Sequence, residues 1–292
     1  MWHHAADRAR QKAQKLDLPC GLGAISGCYG YSRQAWYKRR DFEKEQESEN
    51  TLIKEAVLKV RYRQPRVGGR KLMIHINAAL GSQKITVGRD RLFDLLRGWD
   101  LLIRPKRNYK RTTNSQHRFK VHKNLIKDKG AKRPNEIFVS DITYVKTCEN
   151  FCYLFLITDQ YSRKIVGYDV SLSLGIEGAL RSLEMALSGV RPKLPLIHHS
   201  DRGIQYCSHD YVNLLVKNKV RISMTEENHV YENALAERVN GILKTELLGN
   251  TEDLPLIVVK RLIIEAIEIY NNERLHMNLG YRTPAAVHNS LN

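Results

Sequence analysis

The sequence predicts an α/β fold, a five-stranded mixed sheet with flanking helices, preceded by a small all-α region. Three observations carry this. The first is charge: residues 1–135 hold 32 Lys/Arg against 12 Asp/Glu, a net of +20, whereas residues 136–292 hold 16 against 19, a net of −3. The second is a change of pattern near residue 136, from apolar residues at helical spacing to short runs of β-branched and aromatic residues. The third is the order of elements after that point: three closely spaced strands, then alternating helices and strands.

The N-terminal half reads as helices. Ala5–Leu16 suits a helix, and Ser32 is placed to cap one that carries Arg33, Gln34, Trp36, Tyr37 and Lys38. Residues 41–60 place Leu52, Ile53, Ala56, Val57 and Val60 at helical spacing and read as a connecting helix. Arg61–Gly69 contains the breakers Gln64-Pro65 and Gly68-Gly69. Helices over about 70–80 and 87–98, parted by Gly81-Ser82, outline a helix-turn-helix whose second helix carries Arg89, Arg91 and Arg97. Residues 101–133 hold 12 Lys/Arg and one acid, Asp128, with little apolar periodicity, and read as a basic linker. So concentrated a basic field favours a polyanion, nucleic acid first.

The C-terminal half reads as Ile137–Lys146, Tyr153–Thr158 and Ile165–Ser171 in an antiparallel meander. A helix over Ile176–Ser188, a strand over Leu196–Asp201, a helix over His209–Asn218 and a strand over Val220–Thr225 follow. Helices over Tyr231–Leu248 and Ile257–Asn272 complete it. This is the element order of the RNase H-like fold. The predicted divisions are 1–60 (helical), 61–100 (helix-turn-helix-like), 101–134 (basic linker), 135–250 (core) and 251–292 (last helix and tail of the core).

Three acids stand out in that core: Asp141 inside the first strand, Asp201 at the end of the fourth, and Glu237 in the following helix, with 35 residues between Asp201 and Glu237. In such a sheet the fourth strand lies beside the first, so Asp141 and Asp201 meet, and Glu237 reaches them from the helix. Ser140 and Ile142 then face away from the acids. Converging carboxylates repel one another unless a cation lies between them. Few ligands, all of them oxygen, suit Mg²⁺ or Mn²⁺, and a pair of such ions drives phosphodiester displacement. Asn233, Asn240, Gly241 and Lys244 share the helix face of Glu237. That face therefore carries amides, a cation and a residue small enough for close approach. Taken singly, a strand-end Asp is most often a turn cap and a helical Glu most often faces solvent; their joint occurrence gives the reading its weight.

Other chemistries fit less well. His3-His4 with Cys20 and Cys28 lacks the spacing of a zinc site. His198 and His199 read as buried or edge residues, and Ser200 and Tyr144 as packing or hydrogen-bond residues. Five cysteines suit a reducing compartment. No apolar run of 18 residues occurs and the start lacks the layout of a signal peptide, so a cytoplasmic, nucleoid-associated protein without a membrane span is expected.

Taken together, several segments resemble the OrfB product of two-frame bacterial insertion sequences, the transposases with a retroviral-integrase-like DDE core. They are Tyr31–Lys38, Gly68–Lys71, Asp141–Tyr144, Thr158-Asp159 with Ser162-Arg163, and His199–Gly203. To these are added Asn233-Ala234 with Ala236–Arg238, Tyr270-Asn271, Arg274–His276, Leu279–Tyr281 and Thr283-Pro284. The resemblance implies Mg²⁺-dependent (or Mn²⁺-dependent) cleavage at element ends and strand transfer into target DNA. It assigns catalysis and metal binding, of two ions, to Asp141, Asp201 and Glu237. DNA contacts are expected from Arg89, Arg91, Arg97, Arg202, Asn233, Asn240 and Lys244. The expected partners are double-stranded DNA (terminal repeats and target), further copies of the chain on that DNA, and an upstream-frame (OrfA-type) protein or fusion. The alternative is a catalytically silent or partner-dependent DNA-binding protein of the element.

Overall fold

The computed structural model describes residues 2–16, 18, 20–103, 120–127, 129–190, 195–226 and 233–290. The chain divides into two compact units, residues 1–60 with 72–102, and residues 61–71 with 103–292.

The first unit contains helices α1 (Trp2–Lys15), α2 (Leu22–Cys28), most of α3 (Arg33–Arg63) and α4 (Gly69–Leu80), and α5 (Arg89–Gly98). Ser32 caps α3 as expected, its Oγ accepting from the Ala35 amide at 3.1 Å. The stretch 33–40 and the connecting helix 41–60 are one continuous helix, because no breaker separates them. Trp36 packs with Ala6, Leu22 and Ile25 in a small core. Farther along α3 Ile53 and Val57 are buried, as are Leu72, Ile76, Leu92 and Leu96 on α4 and α5. Past the break at 60/61, most of α4 and all of α5 return to the first unit, where Arg91 of α5 is tied to Glu49 and Asn50 of α3.

The second unit holds β1 (Ile137–Lys146), β2 (Phe151–Asp159), β3 (Ile165–Ser171), β4 (Ile197–Ser200) and β5 (Arg221–Met224), in the order β3-β2-β1-β4-β5. β1, β2 and β3 pair antiparallel, whereas β4 is parallel to β1 and to β5. This is the five-stranded mixed sheet of the RNase H-like fold. Alternation along the strands makes two cores. Phe138, Phe155 and Ile157 pack on α6 (Ile176–Ser188), α7 (Ile204–Cys207) and α8 (His209–Lys217). Leu154, Leu156 and Val145 pack on α9 (Ala234–Ile242) and α10 (Leu256–Asn272) on the other face. The chain closes with α11 (Pro284–Asn289), capped by Thr283, whose Oγ1 accepts from the Ala286 amide at 3.2 Å. The segment 251–292 belongs to the same unit as the sheet.

Two expectations change. The predicted helix over 231–248 is α9 followed by a π-helical stretch, Leu243–Leu248; residues 231 and 232 lie outside the described part. Of the predicted basic linker, residues 104–119 and 128 also lie outside it. Residues 120–127 pack on the core instead: the Leu125 amide donates to Ser223 Oγ at 2.9 Å, and Ile126 is buried with Ile137 and Val139. The apolar pair Leu125-Ile126 is the local reason.

Candidate active site

The parallel register of β1 and β4 sets Ser140 opposite Ser200. Asp141 thus lies next along β1 where Asp201 follows β4. Asp201 Oδ1 accepts from the Gly203 amide at 2.9 Å, a local turn that fixes the carboxylate. A Cβ at position 203 would lie 3.0 Å from that same oxygen, so glycine permits the close approach. Glu237 sits in the first turn of α9 and is exposed.

The acids influence one another. Burial, followed by the charge of Asp201, raises the Asp141 carboxyl to about 7; Glu237 adds to the rise, while the Asn240 hydrogen bond opposes it. The three side chains do not form a closed cluster. Among the described residues, the one set of three ligand side chains whose donor atoms all lie within 4.8 Å of one another is His3, His4 and Glu43. Glu43, and neither Cys20 nor Cys28, is thus the neighbour of the histidine pair.

Asn240 is 5 % exposed and donates Nδ2 to Asp141 Oδ2 at 2.7 Å. Asn233 is 4 % exposed and donates Nδ2 to the Ser140 carbonyl at 2.9 Å. Both asparagines, expected at the DNA, turn inward, because burial leaves their amides needing protein acceptors. Gly241 meets nothing within 4 Å of an added Cβ, so packing within the chain does not require glycine there.

Lys244 lies with its ammonium 4.4 Å from the centre of the Tyr144 ring. Burial lowers its pKa and the nearby Asp141 charge raises it, so the amine stands on the acid side of the sheet. Arg202 donates Nε to the Thr225 carbonyl at 2.9 Å. In the first unit Arg89 and Arg97 are paired with Asp90 and Asp94 in exposed contacts, whereas Arg91 is held by Glu49 and Asn50. Exposed pairs of this kind contribute little to stability, so their arginines can turn to a phosphate; Arg91 is more enclosed, with a 36 % exposed side chain.

Behind the site, on the opposite face, Ser140 Oγ and the Tyr211 hydroxyl both meet His198 Nε2, at 2.6 and 2.9 Å. Burial depresses His198 to about 3, so the ring is neutral. His199 Nδ1 meets Ser223 Oγ at 2.9 Å. Both histidines are therefore core residues. Sequence reasoning missed this chain; the buried polar string His198-His199-Ser200 inside an apolar strand was its one visible signal.

The family described as "Integrase core domain" matches residues 131–229, and a second family of the same description matches residues 218–284. The "Insertion element IS600 uncharacterized 31 kDa protein" of Shigella sonnei is 36 % identical over 267 residues, covering 88 % of this chain and 95 % of that protein. "Transposase InsF for insertion sequence IS3A" of Escherichia coli K12 is 31 % identical over 196 residues, covering 66 % of this chain and 68 % of its own length. The chain belongs to the insertion-sequence transposases with an integrase core. Among solved structures, this transposase aligns with the HTLV-2 integrase catalytic core in complex with magnesium at a TM-score of 0.45 and 21 % identity, over 55 % of the chain and 99 % of that core. It aligns with a chain of the simian T-cell lymphotropic virus intasome at a TM-score of 0.49 and 20 % identity, over 77 % of this chain and 71 % of that one. The transposase acts on DNA, and among its described residues no helix is long and apolar enough to cross a membrane.

Proposed function

We propose that Asp141, Asp201 and Glu237 are the catalytic carboxylates of this transposase and that they hold two divalent cations, Mg²⁺ or Mn²⁺. The observation that carries the reading is the placement of Asp141 and Asp201 side by side at the end of the parallel pairing between β1 and β4; burial first, then the charge of Asp201 and last that of Glu237, raise the Asp141 carboxyl to about 7, which favours a positive charge there. An all-oxygen donor set in a half-buried position suits a hard cation. When bound, such ions lower the pKa of an attacking hydroxyl and neutralise charge on the leaving oxygen.

The chain's own residues do the rest. Asn240 fixes the Asp141 carboxylate from one side, and the Gly203 amide fixes Asp201. Glu237, exposed at the start of α9, completes the set as its side chain swings toward the two aspartates. Lys244 beside Tyr144 presents a cation to the phosphodiester of an element end. Arg89 and Arg97 on α5, together with the basic residues of 101–134, follow the DNA backbone. The chemistry is in-line displacement at phosphorus. Water first cuts the element end and leaves a 3′-hydroxyl; that hydroxyl then attacks target DNA, forming one phosphodiester as another breaks. Two ends must be brought together, which requires at least two copies on DNA. An upstream-frame product supplies additional end recognition.

The test is cleavage and joining of a labelled duplex carrying the element's terminal repeat, with Mg²⁺ or with EDTA, for wild type, Asp141→Asn and Glu237→Gln. Metal-dependent nicking and joining, lost in both variants while DNA binding persists, is the expected result. Binding without cleavage by the wild type would reject the catalytic assignment and favour a partner-dependent DNA-binding protein. Equal loss of binding in Glu237→Gln would remove its metal role.

A further inference from the structure

A cavity of about 600 Å³ opens at the edge of the core, away from the three acids, lined among others by Gly130, Tyr161, Arg163, Asn278, Gly280 and Arg282. No carboxylate lines it. Its size lies within the range of about 300–1,000 Å³ usual for ligand sites. Its chemistry is cationic and hydrogen-bonding: two guanidinium groups, a phenol, an amide and backbone from two glycine-containing loops.

Arg163 is the unusual member. It is half-buried, yet its side chain makes no hydrogen bond or ion pair among the described residues. Burial lowers its pKa, and Arg238 close by adds repulsion, only partly offset by Tyr270 and Asp159. Asp159 is fully buried and already accepts from the Asn135 amide, the Ser162 amide and Ser162 Oγ. It is therefore walled off and engaged. A guanidinium has five donors, and at a half-buried position on the cavity wall they can reach an anion that enters it. Arg163 also adopts φ 65° and Tyr281, beside the cavity, φ 59°, conformations that side chains of these types seldom take. Residues held this way cluster at ligand sites. Arg282 is exposed, and its one side-chain bond is a long one, 3.3 Å from Nε to the Leu279 carbonyl.

We infer that this cavity is a phosphate-binding site in which Arg163 and Arg282 clamp a phosphate group, that of a DNA strand running on from the active site. Position supports the source. The Gln160 amide bonds the Ile137 carbonyl, so the turn bearing Arg163 abuts the start of β1. Asp141 lies four residues along that strand, about 13 Å. That span corresponds to roughly four nucleotides at about 3.4 Å rise each. A strand gripped here is registered relative to the scissile phosphate, which is a positioning function. The inference rests on the chain acting on DNA, and a free phosphate is the other source of the same chemistry.

The experiment uses the full chain as wild type, Arg163→Gln and Arg282→Gln. Fluorescence anisotropy with a labelled duplex is followed across a salt series, and thermal melting is followed with inorganic phosphate. A fall in affinity of about tenfold, with the salt slope reduced by about one per variant at unchanged melting temperature, supports the DNA strand as the occupant. Unchanged DNA binding, with loss of a phosphate-induced rise in melting temperature seen in the wild type, supports the site with free phosphate as its ligand. No difference in either arm overturns it. Should Arg163→Gln fail to fold, Arg282→Gln at its exposed position decides. A wild type that binds no duplex would refute the DNA reading, and the phosphate arm would still judge the cavity.

Discussion

Asn240 donates its side-chain amide to Asp141 Oδ2 across 2.7 Å, tying the last turn of α9 to the middle of β1. The bond orients a carboxylate that two other carboxylates repel, and it works against the rise in that group's pKa. Partners that orient a metal-binding carboxylate commonly change metal affinity or activity by about 10–100-fold when lost. Asn240→Ala is therefore expected to raise the Mg²⁺ concentration needed for half-maximal cleavage and to slow cleavage within that range, with duplex affinity unchanged. A Mg²⁺ titration of nicking, beside an anisotropy measurement, checks both. An unaltered Mg²⁺ requirement would dismiss the orienting role.

The Asp141 carboxyl carries a pH signature in the metal-free protein. Its folded-state pKa is raised to about 7 from 3.8, so the folded chain holds a proton that the unfolded chain releases. Stability from this group therefore declines as pH climbs from about 4 to about 7 and stays reduced above that. Asp141→Asn removes the penalty. In EDTA the variant is expected to be more stable than wild type at pH 8, by on the order of 2 kcal/mol after allowance for its partial exposure, and equal to it near pH 4. Urea unfolding at the two pH values measures the difference.

Glu246 answers two cations. Arg274 donates Nε and a terminal NH₂ to it at 2.8 and 2.9 Å, and Lys71 Nζ lies 3.0 Å away. Burial pushes this carboxyl up, but the hydrogen bonds and charge of Arg274 and Lys71 outweigh burial and hold it low. Glu246→Gln leaves Lys71 and Arg274, at 11 % and 7 % side-chain exposure, without their counter-charge. A loss of about 3 kcal/mol at neutral pH is expected. Because the folded pKa is depressed, the wild-type advantage is lost as pH falls through that value. Chemical denaturation at pH 7 and in acid tests this; a difference that persists in acid would contradict it.

Gly167 marks where β3 meets α6. A Cβ built there would lie 2.1 Å from the Ser182 carbonyl oxygen and 2.8 Å from Ala186 Cβ. Backbone cannot swing aside as a side chain does, so Gly167→Ala is expected to destabilise the unit by about 1–3 kcal/mol. Denaturant midpoints report it. Wild-type stability in that variant would mean that α6 can slide on the sheet.

Much of the fold was legible because its signals are local. β1 and β3 run over 137–146 and 165–171 and α6 over 176–188, as their β-branched or helical spacing predicts. The Ser32 cap and the meander follow from the same short-range chemistry. The three acids were legible as residue types in strand-like and helix-like segments. Asp141 and Asp201 come side by side through the parallel pairing of β1 and β4, expected from the element order, while Glu237 stays exposed on α9.

What only the tertiary structure decided lies between residues far apart in the chain. The inward turn of Asn233 and Asn240, the hydroxyls of Ser140 and Tyr211 meeting on His198, and Glu246 between Lys71 and Arg274 leave no periodic trace. Nor does the widening of α9 into a π-helical stretch at Leu243, or the placing of Arg163 and Arg282 on one cavity wall. Periodicity records which face of an element is buried, a one-dimensional property. Which polar group then satisfies which other depends on how those faces pack. By itself the sequence determined the sheet, its helices and the three acids as candidates; packing decided which neighbours orient Asp141 and Asp201 and which cations line the cavity.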